Sequence, residues 1–143
     1  MKCTVTIDKS REEEVLIFAH EKNKLVCEIE NLVEANQVEI VGYFEKEIII
    51  LLPNEICCFI VENNKIYALT QDKKILLKQR LYELEEILDS GFIKVNQSCI
   101  ANIKQIKRFD ASISGSLVVI FKNGHRDYVS RRQLKHVKER MGI

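Results

Sequence analysis

The sequence predicts an α+β fold that is mainly β, with a small α/β N-terminal lobe (residues 1–45) ahead of a β-rich domain (residues 46–143). Three observations carry that expectation. From residue 38 to residue 77, β-branched and aromatic residues recur in short runs broken by turn residues. Helical spacing is confined to short segments around residues 25–33, 81–88 and after Ser130. Late in the chain, Lys122-Asn123-Gly124 stands between two strand-like runs, a strong hairpin signal.

Residues 2–8 alternate Cys3, Val5 and Ile7 against Lys2, Thr4 and Thr6, the pattern of a half-buried strand, and residues 14–20 are a second strand candidate. Leu25, Val26, Ile29, Leu32 and Val33 then fall on one face of an amphipathic helix. Strands are expected at 38–44, 47–52, 56–61, 65–70 and 73–77, with turns at Pro53-Asn54 and at Glu62-Asn63-Asn64. Leu81, Leu84, Ile87 and Leu88 mark a short helix closed at Ser90-Gly91, with the glycine as its C-cap. Ile100, Ile103 and Ile106 are three apart, a helical spacing in a region otherwise strand-like. Residues 112–116 read as a flexible hairpin tip, and 117–121 as an apolar strand. Ser130 sits as the N-cap of a last helix whose Leu134 and Val137 face inward.

Composition bounds the function. The chain has 143 residues, 46% of them hydrophobic, enough for one core and a small second lobe. It has no run near the roughly 20 apolar residues of a membrane helix, and acidic residues come early where a signal peptide would be basic. A soluble cytoplasmic protein without membrane insertion is expected. The five cysteines (Cys3, Cys27, Cys57, Cys58 and Cys99) show neither disulfide-framework nor zinc spacing. They read as reduced structural thiols, with a redox role for Cys57 and Cys58 the lesser reading. Residues 1–91 net −7 and residues 92–143 net +8, although the whole chain nets only +1. Such a division suggests a polyanion partner on the C-terminal side, or two halves that neutralise each other.

Little points to catalysis. His20, His125 and His136 have no metal-ligand spacing with one another or with the cysteines. Cys99 with His125 suggests a thiol dyad only weakly, and the serine-rich 112–116 lacks the lysine of a phosphate loop. No enzyme activity, catalytic residue, metal, cofactor or small-molecule ligand is therefore expected.

The most specific stretch is residues 92–132. It contains Gly91-Phe92 after the short helix, then Gln97-Ser98 and Asn102, then Asn123-Gly124, and finally Val129-Ser130-Arg131. In that order and spacing these residues resemble the LytTR-type DNA-binding domain, over roughly residue 45 to the C-terminus. The resemblance implies an elongated stack of small antiparallel sheets with short helices, and a strand over residues 103–109, where the spacing of Ile100, Ile103 and Ile106 alone favours a helix. It also implies double-stranded DNA as partner, bound by loops and a helix start that enter successive major grooves and bend the duplex. A receiver domain often precedes this domain in the family. The roughly 45 preceding residues suggest instead a stand-alone bacterial regulator. Carried over by position, the base-contacting points fall on Arg132, on Asn96 with Gln97, and on the loop holding Asn64 and Lys65.

The residues support such a role chemically. Arg132, beside Arg131 and one turn before Lys135, offers a guanidinium suited to a guanine edge or a phosphate. The amides of Asn96 and Gln97 suit adenine, and Ser98 suits phosphate. The expected DNA-binding residues are thus Asn64, Lys65, Lys94, Asn96, Gln97, Ser98, Arg131, Arg132 and Lys135. For Asn96 a second reading stands, that it satisfies a turn; Ser130 reads first as a helix cap, and Asn102 as a buried structural amide. Many relatives carry an arginine and a histidine-arginine pair where this chain has Lys94 and Asn96-Gln97, so phosphate grip or base preference differs there. The competing function is a protein-binding regulatory module working through the acidic N-terminal lobe. The stripe of Leu25, Ile29 and Leu32 fits either a homodimer contact or internal core.

Overall fold

Short β-branched runs between turn residues become strands in the computed structural model, which describes residues 1–35, 38–112 and 115–143. Two compact units emerge, Met1–Gln37 and Val38–Ile143. The first contains α1 (Lys24–Ala35), started by Asn23, whose Oδ1 accepts from Val26 N at 3.0 Å. Val26 is buried, while Leu25 and Leu32 of the expected stripe are exposed.

The strands expected at 2–8 and 14–20 do not form: among the described residues of this unit, α1 is the sole regular element. Alternation makes a strand only when a neighbouring backbone pairs with it. Here no ladder does, and Ile7 and Phe18 stay 84% and 92% exposed.

The second unit begins earlier than the expected boundary at residue 45. Its β1 (Ile40–Phe44) pairs antiparallel with β2 (Glu47–Leu51) and with β5 (Lys74–Leu77), so it lies inside the main sheet. With β3 (Cys58–Glu62), β4 (Lys65–Leu69), β6 (Phe92–Asn96) and β7 (Cys99–Asn102), these strands make a seven-stranded sheet in the order β2-β1-β5-β4-β3-β7-β6. A three-stranded sheet, β10-β9-β8, is built from β8 (Ile106–Asp110), β9 (Leu117–Phe121) and β10 (Arg126–Val129). The hairpin tip expected at 112–116 includes Ile113 and Ser114, which lie outside the described residues.

Period-two alternation gives the large sheet two buried faces. Phe59 and its cross-strand partner Ile100 pack with Ile40, Ile75, Leu77 and with Leu81 and Leu84 of α2 (Leu81–Ile87). Cys58, Cys99 and Ala101 point the other way, onto Val119, Phe121 and Val137, the last from α3 (Arg131–Met141). Cys57, Cys58 and Cys99 are buried free thiols, as small apolar residues are placed. Burial pushes the Cys57 thiol upward, and a hydrogen bond with Cys58 followed by burial pushes the Cys99 thiol up.

One local expectation is corrected and two are refined. Helix α2 closes at Leu88, whose N–H donates to Leu84 O at 3.0 Å, and Gly91 is not left-handed, so Gly91 is not its C-cap. The spacing of three in Ile100, Ile103 and Ile106 resolves into one 3-10 turn, Ile103–Gln105, followed by β8. At Lys122-Asn123-Gly124 only Gly124 has positive φ (90°), with its N–H on Phe121 O at 2.9 Å. The expected hairpin thus forms between β9 and β10, through a type I turn followed by a left-handed glycine.

Candidate nucleic-acid interface

A mirror-image turn lies between β3 and β4. Glu62 pairs with Lys65, and the two residues between them, Asn63 and Asn64, have φ of 52° and 60°. Asparagine is among the few side chains that enter this region at low cost, because its short amide bonds locally. Asn64 and Lys65 are consequently displayed on an exposed tip.

A second two-residue turn joins β6 to β7, with Asn96 paired to Cys99 and Gln97 and Ser98 exposed between them. The register shifts between Lys94 and Asn96, which turns the end of β6 relative to its start. Val61 N donates to Ser98 O at 2.9 Å, placing this turn at the same end of the sheet as the Asn63-Asn64 tip.

The start of α3 reaches that end by a different route. Ser130 N donates to Val95 O at 2.9 Å, tying the end of β10 to β6. Ser130 Oγ accepts from Gln133 N at 3.3 Å, the expected N-cap. Arg131 and Arg132 follow, exposed, and among the described residues their side chains make no ion pair or hydrogen bond. The first turn of α3 contains no acidic residue, so two cations sit at the positive end of the helix dipole. An anion there relieves that repulsion. Lys135 is exposed one turn on, its Nζ 4.0 Å from Glu139.

The nine expected contact residues therefore separate. Asn64, Lys65, Gln97, Ser98, Arg131, Arg132 and Lys135 are exposed. Lys94 is half-buried and faces Glu85 of α2 at 3.9 Å, so its charge is partly answered within the fold. Asn96 is corrected from base reader to turn holder. It is 1% exposed, with Nδ2 donating to Asp127 Oδ1 and to Tyr128 O, both at 2.8 Å, and Oδ1 accepting from Ser98 N at 2.7 Å. An amide with its hydrogens and oxygen already bonded has little left for a base edge.

Asp127 is the residue that sequence reasoning missed. Its Oδ1 also accepts from Tyr128 N at 2.9 Å, and its Oδ2 stands 3.7 Å from His125 Nε2. That is an ion-pair distance; His125 Nε2 is buried without a hydrogen-bond partner among the described residues. Burial works against the Asp127 charge, but His125, the Tyr128 N–H, Asn96 and Cys99 outweigh it and hold the carboxyl below its ordinary range. A faint signal was legible: Asp127 shares its strand face with buried Val129, whereas Arg126 and Tyr128 are exposed.

Among the described residues, no group of three His, Cys, Asp or Glu side chains could hold a metal, and no helix is long and apolar enough to cross a membrane.

Comparison with known proteins agrees with this geometry. A family profile described as the LytTr DNA-binding domain matches residues 46–142. An uncharacterised HTH-type transcriptional regulator of Staphylococcus aureus strain MSSA476 is 36% identical over 148 residues, covering 100% of this chain and 99% of the relative. A regulator of the same description from strain NCTC 8325 is 39% identical over 104 residues, 73% of this chain and 71% of the relative. The LytTr DNA-binding domain of a response regulator from Bacillus cereus superposes with a TM-score of 0.71 at 19% identity, over 76% of this chain and 100% of that one. The relatives' description names a helix-turn-helix; among the described residues of this chain five strands, β6 to β10, separate α2 from α3.

Proposed function

This chain belongs to the LytTR family of DNA-binding domains, and from that premise we propose that it is a bacterial transcriptional regulator reading double-stranded DNA with two turns and one helix start. The observation that carries the reading is the gathering of three exposed polar segments at one end of the main sheet. They are Asn64-Lys65, Gln97-Ser98 and Arg131-Arg132, held there by the bonds from Val61 N to Ser98 O and from Ser130 N to Val95 O.

In this reading Arg132 takes the acceptor pair of a guanine and Gln97 that of an adenine in the major groove. Asn64 and Lys65 engage a neighbouring stretch of groove. Ser98, Arg131 and Lys135 take phosphates and fix the register. Contacts spread over two turns and a helix start favour a bent duplex, whose deformation costs a few kcal/mol and is offset by the added contacts. Lys94, half-neutralised by Glu85, contributes charge rather than a base contact.

The test is the salt dependence and base preference of binding to a duplex selected from random sequence. Arg132→Ala is expected to weaken the selected site by about 1–3 kcal/mol and to relax preference at one base pair. Equal weakening on all sequences would make Arg132 a phosphate contact only. No binding above background at low salt would sink the regulator reading.

Dimerisation through α1 is a finer element of the same reading, supported by the exposure of Leu25 and Leu32. Sedimentation of the full chain against Leu32→Glu checks it: equal association by both excludes α1 as the contact.

A further inference from the structure

We propose that Asp127, acting through Asn96, is a positioning residue that sets the Gln97-Ser98 turn against the start of α3 and so governs base preference rather than grip on DNA. This rests on the DNA-binding reading above and deepens it, because Asp127 touches no predicted contact point itself.

Strand β6 is the edge of the seven-stranded sheet and β10 the edge of the three-stranded one. No strand ladder joins them; the backbone bond from Ser130 N to Val95 O is the one main-chain link recorded between them among the described residues. Val95 and Val129 share the core beneath the junction, and its side-chain hydrogen bonds between β6 and β10 come from one amide. Asn96 Nδ2 donates to Asp127 Oδ1 and Tyr128 O on β10, while its Oδ1 accepts from Ser98 N within the turn.

The amide has one workable orientation. Flipped, its oxygen would face a carboxylate and a carbonyl, and its NH2 would face the Ser98 N–H. Asp127 therefore decides which way Asn96 points, and Asn96 decides where the Ser98 backbone lies. Tyr128 is two residues before the N-cap Ser130, so the same bonds locate the strand that launches Arg131 and Arg132.

The charge on Asp127 excludes a simpler role. A carboxylate near a phosphate-binding surface opposes DNA, so Asp127 does not serve non-specific affinity. The side chain is only 18% exposed, and its Oδ1 is already shared between Asn96 Nδ2 and Tyr128 N. Holding neighbouring groups is the role left to it.

The experiment compares the full chain with Asp127→Ala, Asp127→Asn and Asp127→Glu on the selected duplex and on a scrambled duplex of equal length. For Asp127→Ala the affinity for the selected duplex is expected to fall about tenfold, the loss of one charge-assisted bond, with non-specific binding no weaker than in the wild type, so that the ratio of specific to non-specific affinity falls. Asp127→Asn keeps an acceptor oxygen in place and is expected to retain most of the ratio. Asp127→Glu keeps the charge but displaces it by a methylene, and is expected to lose the ratio as alanine does. An alanine variant that keeps its ratio, or equal loss in the alanine and asparagine variants, overturns the proposal. Should alanine fail to fold, retention of the ratio by Asp127→Glu overturns it.

Hydrogen exchange in the free protein separates this from failure of the DNA reading. The Ser98 amide is expected to exchange about tenfold faster in Asp127→Ala or Asp127→Glu than in the wild type, with the Lys104 amide unchanged. Unchanged Ser98 exchange, or equal acceleration of both amides, overturns positioning whether or not any duplex is preferred.

Discussion

Two buried asparagines stand at opposite ends of the β6–β7 hairpin and use the same device for different ends. Asn96 is 1% exposed and Asn102 4%. Each accepts on Oδ1 from the N–H two residues downstream, Ser98 in one case and Lys104 at 3.2 Å in the other. Each also donates across the fold. Asn102 Nδ2 reaches Ile56 O at 2.8 Å and Pro53 O at 3.4 Å, both neutral carbonyls ahead of β3. Asn96 reaches a carbonyl and a carboxylate on the strand leading into α3. Asn102, at the open end of the hairpin, secures the segment leading into β3; Asn96, at the closed end, secures the Gln97-Ser98 turn and the strand leading into α3. What such a residue serves is set by what lies beside it, Gln97 and Ser98 in one case and a 3-10 turn in the other.

The largest test of that contrast is Asn96→Ala, expected to destabilise by about 3 kcal/mol because it strands a carboxylate as well as an N–H and a carbonyl. Urea unfolding measures the stability change, and the preference for selected DNA is expected to collapse with it. Asn102→Ala orphans only neutral groups and is expected to cost about 2 kcal/mol while leaving DNA preference intact. If Asn102→Ala disturbs base preference as much as Asn96→Ala, the division of labour is broken.

Acid sharpens the same contrast. The Asp127 carboxyl lies below its ordinary range in the folded chain, so its contribution is full above the unfolded value near about 4 and is lost as pH falls through the folded value. The stability difference between wild type and Asp127→Asn is expected to shrink as pH drops below about 4, read from urea midpoints. The difference between wild type and Asn102→Leu, which contains no such group, is expected to be flat through that window.

Smaller effects bound the site. Ser130→Ala removes the cap on Gln133 N and is expected to cost about 1 kcal/mol in thermal unfolding. Lys135→Ala is expected to reduce the salt slope of DNA binding by about one unit without altering preference.

Much of the fold was legible because strands and hairpins are written locally. The runs beginning at Val38, Glu47, Lys65 and Leu117 alternate or cluster as the sheets require, and Ser130 declares a helix start by its own hydroxyl. Exposure was legible where it follows from a tip: Asn64, Gln97 and Ser98 sit in two-residue turns that face outward, and Lys65 opens the strand beside one of them. Misreadings arose where a local pattern needed a remote partner. Cys3, Val5 and Ile7 alternate but find no strand to pair with, and Gly91 follows a helix that Leu88 has already closed.

By itself the sequence determined the strand-rich class, the strands from residue 38 to residue 77, the basic C-terminal side and the identity of the outward turns, because each depends on neighbours a few residues apart. Tertiary structure alone decided that Asn96 turns inward while adjacent Gln97 remains free. The partner that makes the choice, Asp127, is 31 residues further along the chain on another sheet. No periodicity links those two positions. Only the packing of one sheet edge against the other brings a carboxylate to an amide, and so closes Asn96 off while its neighbour Gln97 stays exposed.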